Sequence, residues 1–256
     1  MHPQGRIGSG RADGRMWVAL AVVLAAARPA AAGHAIGVKV TDHTAGSAVT
    51  CRTRLLLSGS RLKVDTSPFT GDASTLYYAA YKDTVWQARH SDRTYVEINS
   101  RTVAGMGESL RSAYDRLSGR EPEPEPDLDV RATAKTAKIG GLPCRRFEVR
   151  AGGRLLQEVW AATWRAADID AAAFATVRQL ALSYERIMSA LGETPTLRGM
   201  SRIPVAGIAR IDGYPVLIRH FEGGRLAFEL QLDAPAQQPI DPATLDPPAG
   251  YRRVLF

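Results

Sequence analysis

The side chains best able to do chemistry are few: the 256-residue chain carries two cysteines and five histidines. Zinc needs thiolates, imidazoles or carboxylates at close spacing, and there is no CxxC, no HExxH and no paired-histidine spacing. Nucleophilic catalysis needs a serine or cysteine in a sharp elbow with a base at hand, and there is no GxSxG. His43, His90 and His220 stand alone in strand or loop context, and His34 falls where an export segment would be cut. Gly105-Met-Gly107 lacks the third glycine of a dinucleotide loop, and no two carboxylates stand out for acid–base work. The expectation is therefore no catalytic residue, no metal and no cofactor.

Cys51 and Cys144 are open to two readings. Outside the cytosol two thiols commonly join, which would add roughly 2–4 kcal/mol of stability. Alternatively they are independent buried thiols. The other chemistry within reach is apolar binding. Trp86, Met106, Leu110, Tyr114, Phe147, Trp160, Phe174 and Met188 are candidates to line a groove, since methionine and aromatic side chains adapt to acyl chains of varied shape. The alternative is that all eight fill an ordinary core.

The elements that would position these residues follow from periodicity. Arg6, Arg11 and Arg15 precede the apolar run Met16 to Ala27, which is shorter than the roughly 20 residues that span a bilayer, and small residues follow. This is the layout of a signal peptide over 1–35, cut after Ala32 or Ala35; an uncleaved anchor is the alternative, and Met16 is a second candidate start. The domain then runs over 36–256. Removing Arg6, Arg11, Arg15, Arg28 and Asp13 from 33 basic and 26 acidic residues leaves 29 and 25. That balance, with only five lysines and no basic run interleaved with aromatics, argues against nucleic acid.

From Ile36 the pattern is a meander of strands: Ile36 to Thr41, Ala48 to Leu57, Arg61 to Thr66, Leu76 to Tyr81, Val85 to Arg89 and Tyr95 to Ile98. Two hairpins read alike, one turning at Gly152-Gly153 and one at Gly223-Gly224, either as an internal repeat or as one turn chemistry used twice. A strand is expected over Leu128 to Lys138 and another over Val205 to Ile211, with proline-rich coil over Pro235 to Pro248 and a short terminal segment from Arg252. Helical spacing appears twice. Val103, Met106, Leu110, Tyr114 and Leu117 form one stripe, firm from Glu108 because Gly105 and Gly107 each cost roughly 1 kcal/mol. Phe174, Val177, Leu180, Tyr184, Ile187 and Leu191 form the second, with Asp168 or Asp170 as cap. Glu121 to Asp127 alternates acid and proline, an extended spacer at 121–127.

The order of several short motifs resembles an exported bacterial family that shares the fold of the outer-membrane lipoprotein carriers LolA and LolB. The motifs are Ser60-Arg-Leu-Lys-Val-Asp65, Asp92-Arg-Thr-Tyr-Val-Glu97, Ile139-Gly-Gly-Leu-Pro-Cys144 through Val149, Glu158-Val-Trp160 and Leu245-Asp-Pro-Pro-Ala-Gly-Tyr251. The resemblance implies an α+β fold, a strongly curved antiparallel sheet or incomplete β-barrel with two main helices packed on its concave face. In the carriers that concave space takes up acyl chains; no site residue transfers. The function expected is a non-enzymatic periplasmic protein that binds or carries a lipid-like or lipidated ligand, touching membrane at most transiently. An envelope interaction module with a filled core and another envelope protein as partner is the second reading, and a hydrolase the third.

Overall fold

A computed structural model of the chain describes residues 31–44, 47–67, 72–107, 109, 128–191, 205 and 207–254. The expected export segment lies outside these residues except for 31–35, and the acidic spacer at 121–127 lies wholly outside them.

Thirteen strands form one open sheet. They are β1 (Ala31–Asp42), β2 (Val49–Ser58), β3 (Arg61–Asp65), β4 (Ser74–Ala79), β5 (Thr84–Arg89), β6 (Thr94–Asn99), β7 (Leu128–Ile139), β8 (Leu142–Ala151), β9 (Arg154–Ala162), β10 (Tyr214–Glu222), β11 (Arg225–Leu232), β12 (Ala236–Ile240) and β13 (Arg252–Val254). Their spatial order is β13-β6-β5-β4-β3-β2-β1-β11-β10-β9-β8-β7, with β12 paired to β1. The expected curved α+β sheet is therefore present, with one amendment: β13 joins β6 in parallel, so the sheet is mixed.

The two hairpins share more than their turns. Gly152 and Gly153 have φ of 53° and 79°, and Gly223 and Gly224 have 56° and 80°. Both glycine pairs occupy the left-handed region that a two-residue hairpin turn demands and a Cβ resists. Each hairpin also bulges just before its turn, between Val149 and Arg150 and between His220 and Phe221.

Helix α1 covers residues 100–107 and α2 spans Ala175–Leu191. The first begins earlier than its glycines suggest because Asn99 caps it, its side-chain oxygen accepting from the Thr102 amide at 3.1 Å. The α2 stripe is the one expected: Phe174, just before the helix, with Val177, Ala181, Tyr184 and Ile187, is buried against the sheet. Together with Ile36, Leu57, Leu62, Tyr78, Ile218 and Phe228 from the strands, it makes the main core. Each such large apolar side chain contributes about 1.5–3 kcal/mol when fully buried.

Two further sequence expectations are corrected. Val205 to Ile211 is not a strand; it holds a 3-10 turn, Ile208–Arg210, packed against α2. The stretch Pro235 to Pro248 is not plain coil, because it contains β12 and a 3-10 turn, Pro242–Leu245, capped by Asp241. Proline is tolerated in β12 because that strand lies at an edge. The C-terminal segment then crosses the outer face of the sheet, where Leu245 is buried and Arg61 meets Asp246 at 2.7 Å. That strap explains why all six residues of β4 are buried: Tyr77 and Ala79 face a second small core with Trp86 and Ala88, covered by Tyr95 and Tyr251.

Candidate functional site

Between α2 and the inner face of the sheet lies an apolar cavity of about 100 Å³. Its floor alternates along the strands: Val38 on β1, Leu55 on β2, Leu62 and Val64 on β3, Ile218 on β10, Leu230 and Leu232 on β11. Period-two alternation puts these side chains on one face. Its roof is Phe174, Val177, Leu180 and Tyr184, joined by Val205 and Ile208. Burial pushes the Tyr184 phenol well above its ordinary value, so it stays protonated there.

The roof is held down by ion pairs and hydrogen bonds. Asp83, at φ 50° in the turn after β4, takes hydrogen bonds from Ser100 Oγ at 2.6 Å, from Ser183 Oγ, and from Arg186 at 2.8 Å. The Tyr78 hydroxyl lies 3.0 Å from Ser183 Oγ. Burial alone would raise the Asp83 pKa, but hydrogen bonds from Ser100, Ser183 and Arg186 outweigh it and hold the carboxyl at about 2. On the far side of α2, Glu185 accepts from the Gly207 amide at 2.7 Å and pairs with Arg210 at 3.0 Å. Sequence reasoning passed over Asp83 as a turn residue, and its place in a Lys-Asp turn carries no sign of the partners it collects.

Of the eight candidate lining residues, Phe174 is in the cavity wall. Trp86 is on the opposite face, in the second core, where its Nε1 donates to Glu97 at 3.1 Å. Phe147 and Trp160 pack against the main core without lining the cavity. Met106 is 60% exposed, because α1 turns that side chain to solvent. Leu110 and Tyr114 lie outside the described residues, as does the side chain of Met188 within α2. The lining residues that were missed are the inward aliphatic positions of β1, β2, β3, β4, β10 and β11; their signal was the alternation itself, which marks a face without saying what faces it.

Cys51 and Cys144 are both free thiols. They sit on β2 and β8, with β1, β11, β10 and β9 between them in the sheet, far beyond the roughly 7 Å Cα limit for a bridge. Burial pushes both thiols above their usual pKa. Among the described residues no three His, Cys, Asp or Glu side chains converge as a metal site would require.

Two adjacent inward positions carry polar groups with no hydrogen-bond partner among the described residues. Gln157 on β9 and His220 on β10 are register partners, and the Gln157 side-chain amide is fully buried. Among the described residues neither Gln157 Nε2 nor Oε1 nor His220 Nδ1 has a hydrogen bond. Burial lowers the His220 pKa, opposed in part by Glu222, whose carboxylate lies 3.9 Å from Nε2. Further along β9, where β7 and β9 end and β8 begins, a groove of about 710 Å³ opens.

No family model and no curated protein matches the chain. Solved structures do, at low identity. An uncharacterized conserved protein from Thermus thermophilus superposes with a TM-score of 0.45 and 10% identity, over 87% of this chain and 90% of that one. PNGF-II superposes with a TM-score of 0.39 and 8% identity, over 87% of this chain and 31% of that one. A domain described as a putative outer membrane lipoprotein-sorting protein, from Vibrio parahaemolyticus, has a TM-score of 0.33 and 10% identity, over 84% and 89%. Among the described residues no helix is long and apolar enough to cross a membrane.

Proposed function

We propose that the protein is a non-enzymatic periplasmic binding protein for a lipid-like or lipidated ligand. The observation that carries this reading is the cavity roofed by α2, lined almost wholly by aliphatic and aromatic side chains. An apolar space of that kind stays dry and accepts hydrocarbon. At about 100 Å³ it is smaller than the roughly 300–1,000 Å³ of typical ligand pockets, so it takes a chain terminus or a short branch rather than a whole acyl chain.

The same small volume favours a second reading, an envelope interaction module whose core is essentially filled. The two are separated by organic extraction and mass spectrometry of natively purified protein, with uptake of a fluorescent fatty acid as the companion assay. The binding reading expects an acyl compound in the extract, or uptake that Leu62→Trp abolishes by filling the cavity. An empty extract together with no uptake removes the binding reading and leaves the interaction module.

A further inference from the structure

The groove at the ends of β7, β8 and β9 differs from the cavity in its chemistry. Its lining includes Thr136, Lys138, Pro143, Arg145, Ala161 and Thr163, and no acid among the described residues. The register pairs Thr136 with Arg145, Lys138 with Pro143 and Arg145 with Ala161. Alternation therefore places Thr136, Lys138, Pro143, Arg145 and Ala161 on the same face as Phe147 and Val159, with Thr163 directly after β9, while Ala137 and Cys144, also in the lining, alternate to the other face.

Two neighbouring arginines show what is unusual here. Arg146 points to the other face and is clamped between Glu148 at 2.7 Å and Glu158 at 2.6 Å. Arg145 is exposed and, among the described residues, pairs with no acid. Its Nε donates to the Thr133 carbonyl at 2.9 Å, which anchors the side chain and leaves its terminal nitrogens uncommitted among those residues. Lys138 is likewise exposed without an acid partner among them.

The groove and the cavity also adjoin. Ala161 lines the groove and pairs across the sheet with Pro215. Pro215 belongs to the cavity wall. The two linings thus include neighbouring residues one inter-strand step apart, about 4.8 Å between strands.

We infer that the ligand is an anionic amphiphile, which rests on the binding reading above and names its chemical class. A carboxylate or phosphate head sits between Lys138 and Arg145, with the Thr136 and Thr163 hydroxyls as further donors. The chain runs past Ala161 and Pro215 so that its end enters the cavity under α2. Arg145 supplies planar paired donors and Lys138 a mobile point charge, a combination suited to a small oxyanion rather than to a neutral polar group.

The test compares cis-parinaric acid, its uncharged methyl ester and inorganic phosphate, each titrated against the full protein and against a Lys138→Ala, Arg145→Ala double variant. Both side chains are exposed, and an unchanged near-ultraviolet circular dichroism spectrum confirms that the variant is folded. The acid is expected to bind the native protein about tenfold more tightly than the ester, and the double variant to erase that difference while leaving the ester unaffected. Equal binding of acid and ester by both proteins overturns the head-group site and leaves apolar binding standing. Phosphate binding as tight as the acid, with the chain adding nothing, overturns it in favour of a free-anion site. Failure of both acid and ester to bind removes the binding reading itself, and the head-group site with it.

Discussion

The meander half of the sheet, β2 to β6, and the two-hairpin half, β7 to β11, treat their buried polar groups in opposite ways. In the meander, Trp86 Nε1 donates to Glu97, and both ring nitrogens of His90 are engaged, one by Thr75 and one by Tyr251, each at 2.8 Å. Asp83 collects Ser100, Ser183 and Arg186. In the hairpin half, among the described residues, Gln157 and His220 Nδ1 on one face and Trp160 Nε1 and Arg146 Nε on the other are buried without a hydrogen bond. A buried polar group left unpaired costs about 1–3 kcal/mol, so native folds seldom keep several close together without cause. The meander and its strap are therefore the scaffold. The hairpins carry the surplus polarity, and they border both the cavity and the cationic groove.

The largest expected effect is on the scaffold side. Asp83→Ala removes the acceptor shared by Ser100, Ser183 and Arg186, and because the Arg186 side chain left behind is 45% exposed the cost in urea unfolding should be about 1.5–3 kcal/mol. Gln157→Leu, which replaces an unsatisfied amide by an apolar group of similar volume, should be neutral or stabilising by about 1 kcal/mol. If the two variants lose stability equally, the contrast between the halves is wrong.

Acid titration should resolve the halves by window. Asp83 is held down from 3.8 to about 2 in the fold, so its contribution is present above about pH 4 and is lost as pH falls toward 2. His220 has a folded pKa below 6.5, so the unfolded chain takes up that proton first. Its penalty is absent above that value and grows as pH falls below it. A stability curve in which His220→Phe flattens the upper decline, and leaves the lower one in place, is the expected outcome. A curve unchanged above pH 4 by that substitution would detach His220 from the unpaired group.

The smallest effect concerns the chain start. Residues Ala31–Ala35 pair with β12, and a Cβ at Gly33 would collide with the Leu57 carbonyl and Ile240. Cleavage after Ala32 keeps Gly33 to Ala35 in that ladder, whereas cleavage after Ala35 removes it. On the proposed periplasmic reading, amino-terminal sequencing of the mature protein should therefore begin at Gly33. A start at Ile36 with unchanged thermal stability would show that the β12 ladder contributes nothing.

The halves also differed in how readable they were. Strands with polar turns, such as β5 and β6, and the hairpins with Gly-Gly turns were legible because alternation and turn residues act over a few positions. So was the α2 stripe. The candidate site was far less legible. Phe174 was found, but Trp86 lies on the other face and Met106 faces solvent, because hydrophobicity marks a residue for burial without naming its neighbour. The segment around Ile208 was misread as a strand for the same reason: its apolar residues are buried, but in a turn packed against a helix.

By itself the chain order determined the type of most elements, the position of the tight turns and the inward face of each strand, since period, glycine and capping are local properties. Tertiary structure alone decided that β1 pairs with β11 and β12, that β13 lies parallel to β6, that Asp83 meets Ser183, and that Ala161 and Pro215 bring a cationic groove against an apolar cavity. Those contacts join residues as far apart as Arg61 and Asp246. They form because joining the strands in one sheet buries apolar faces that no single hairpin can cover alone.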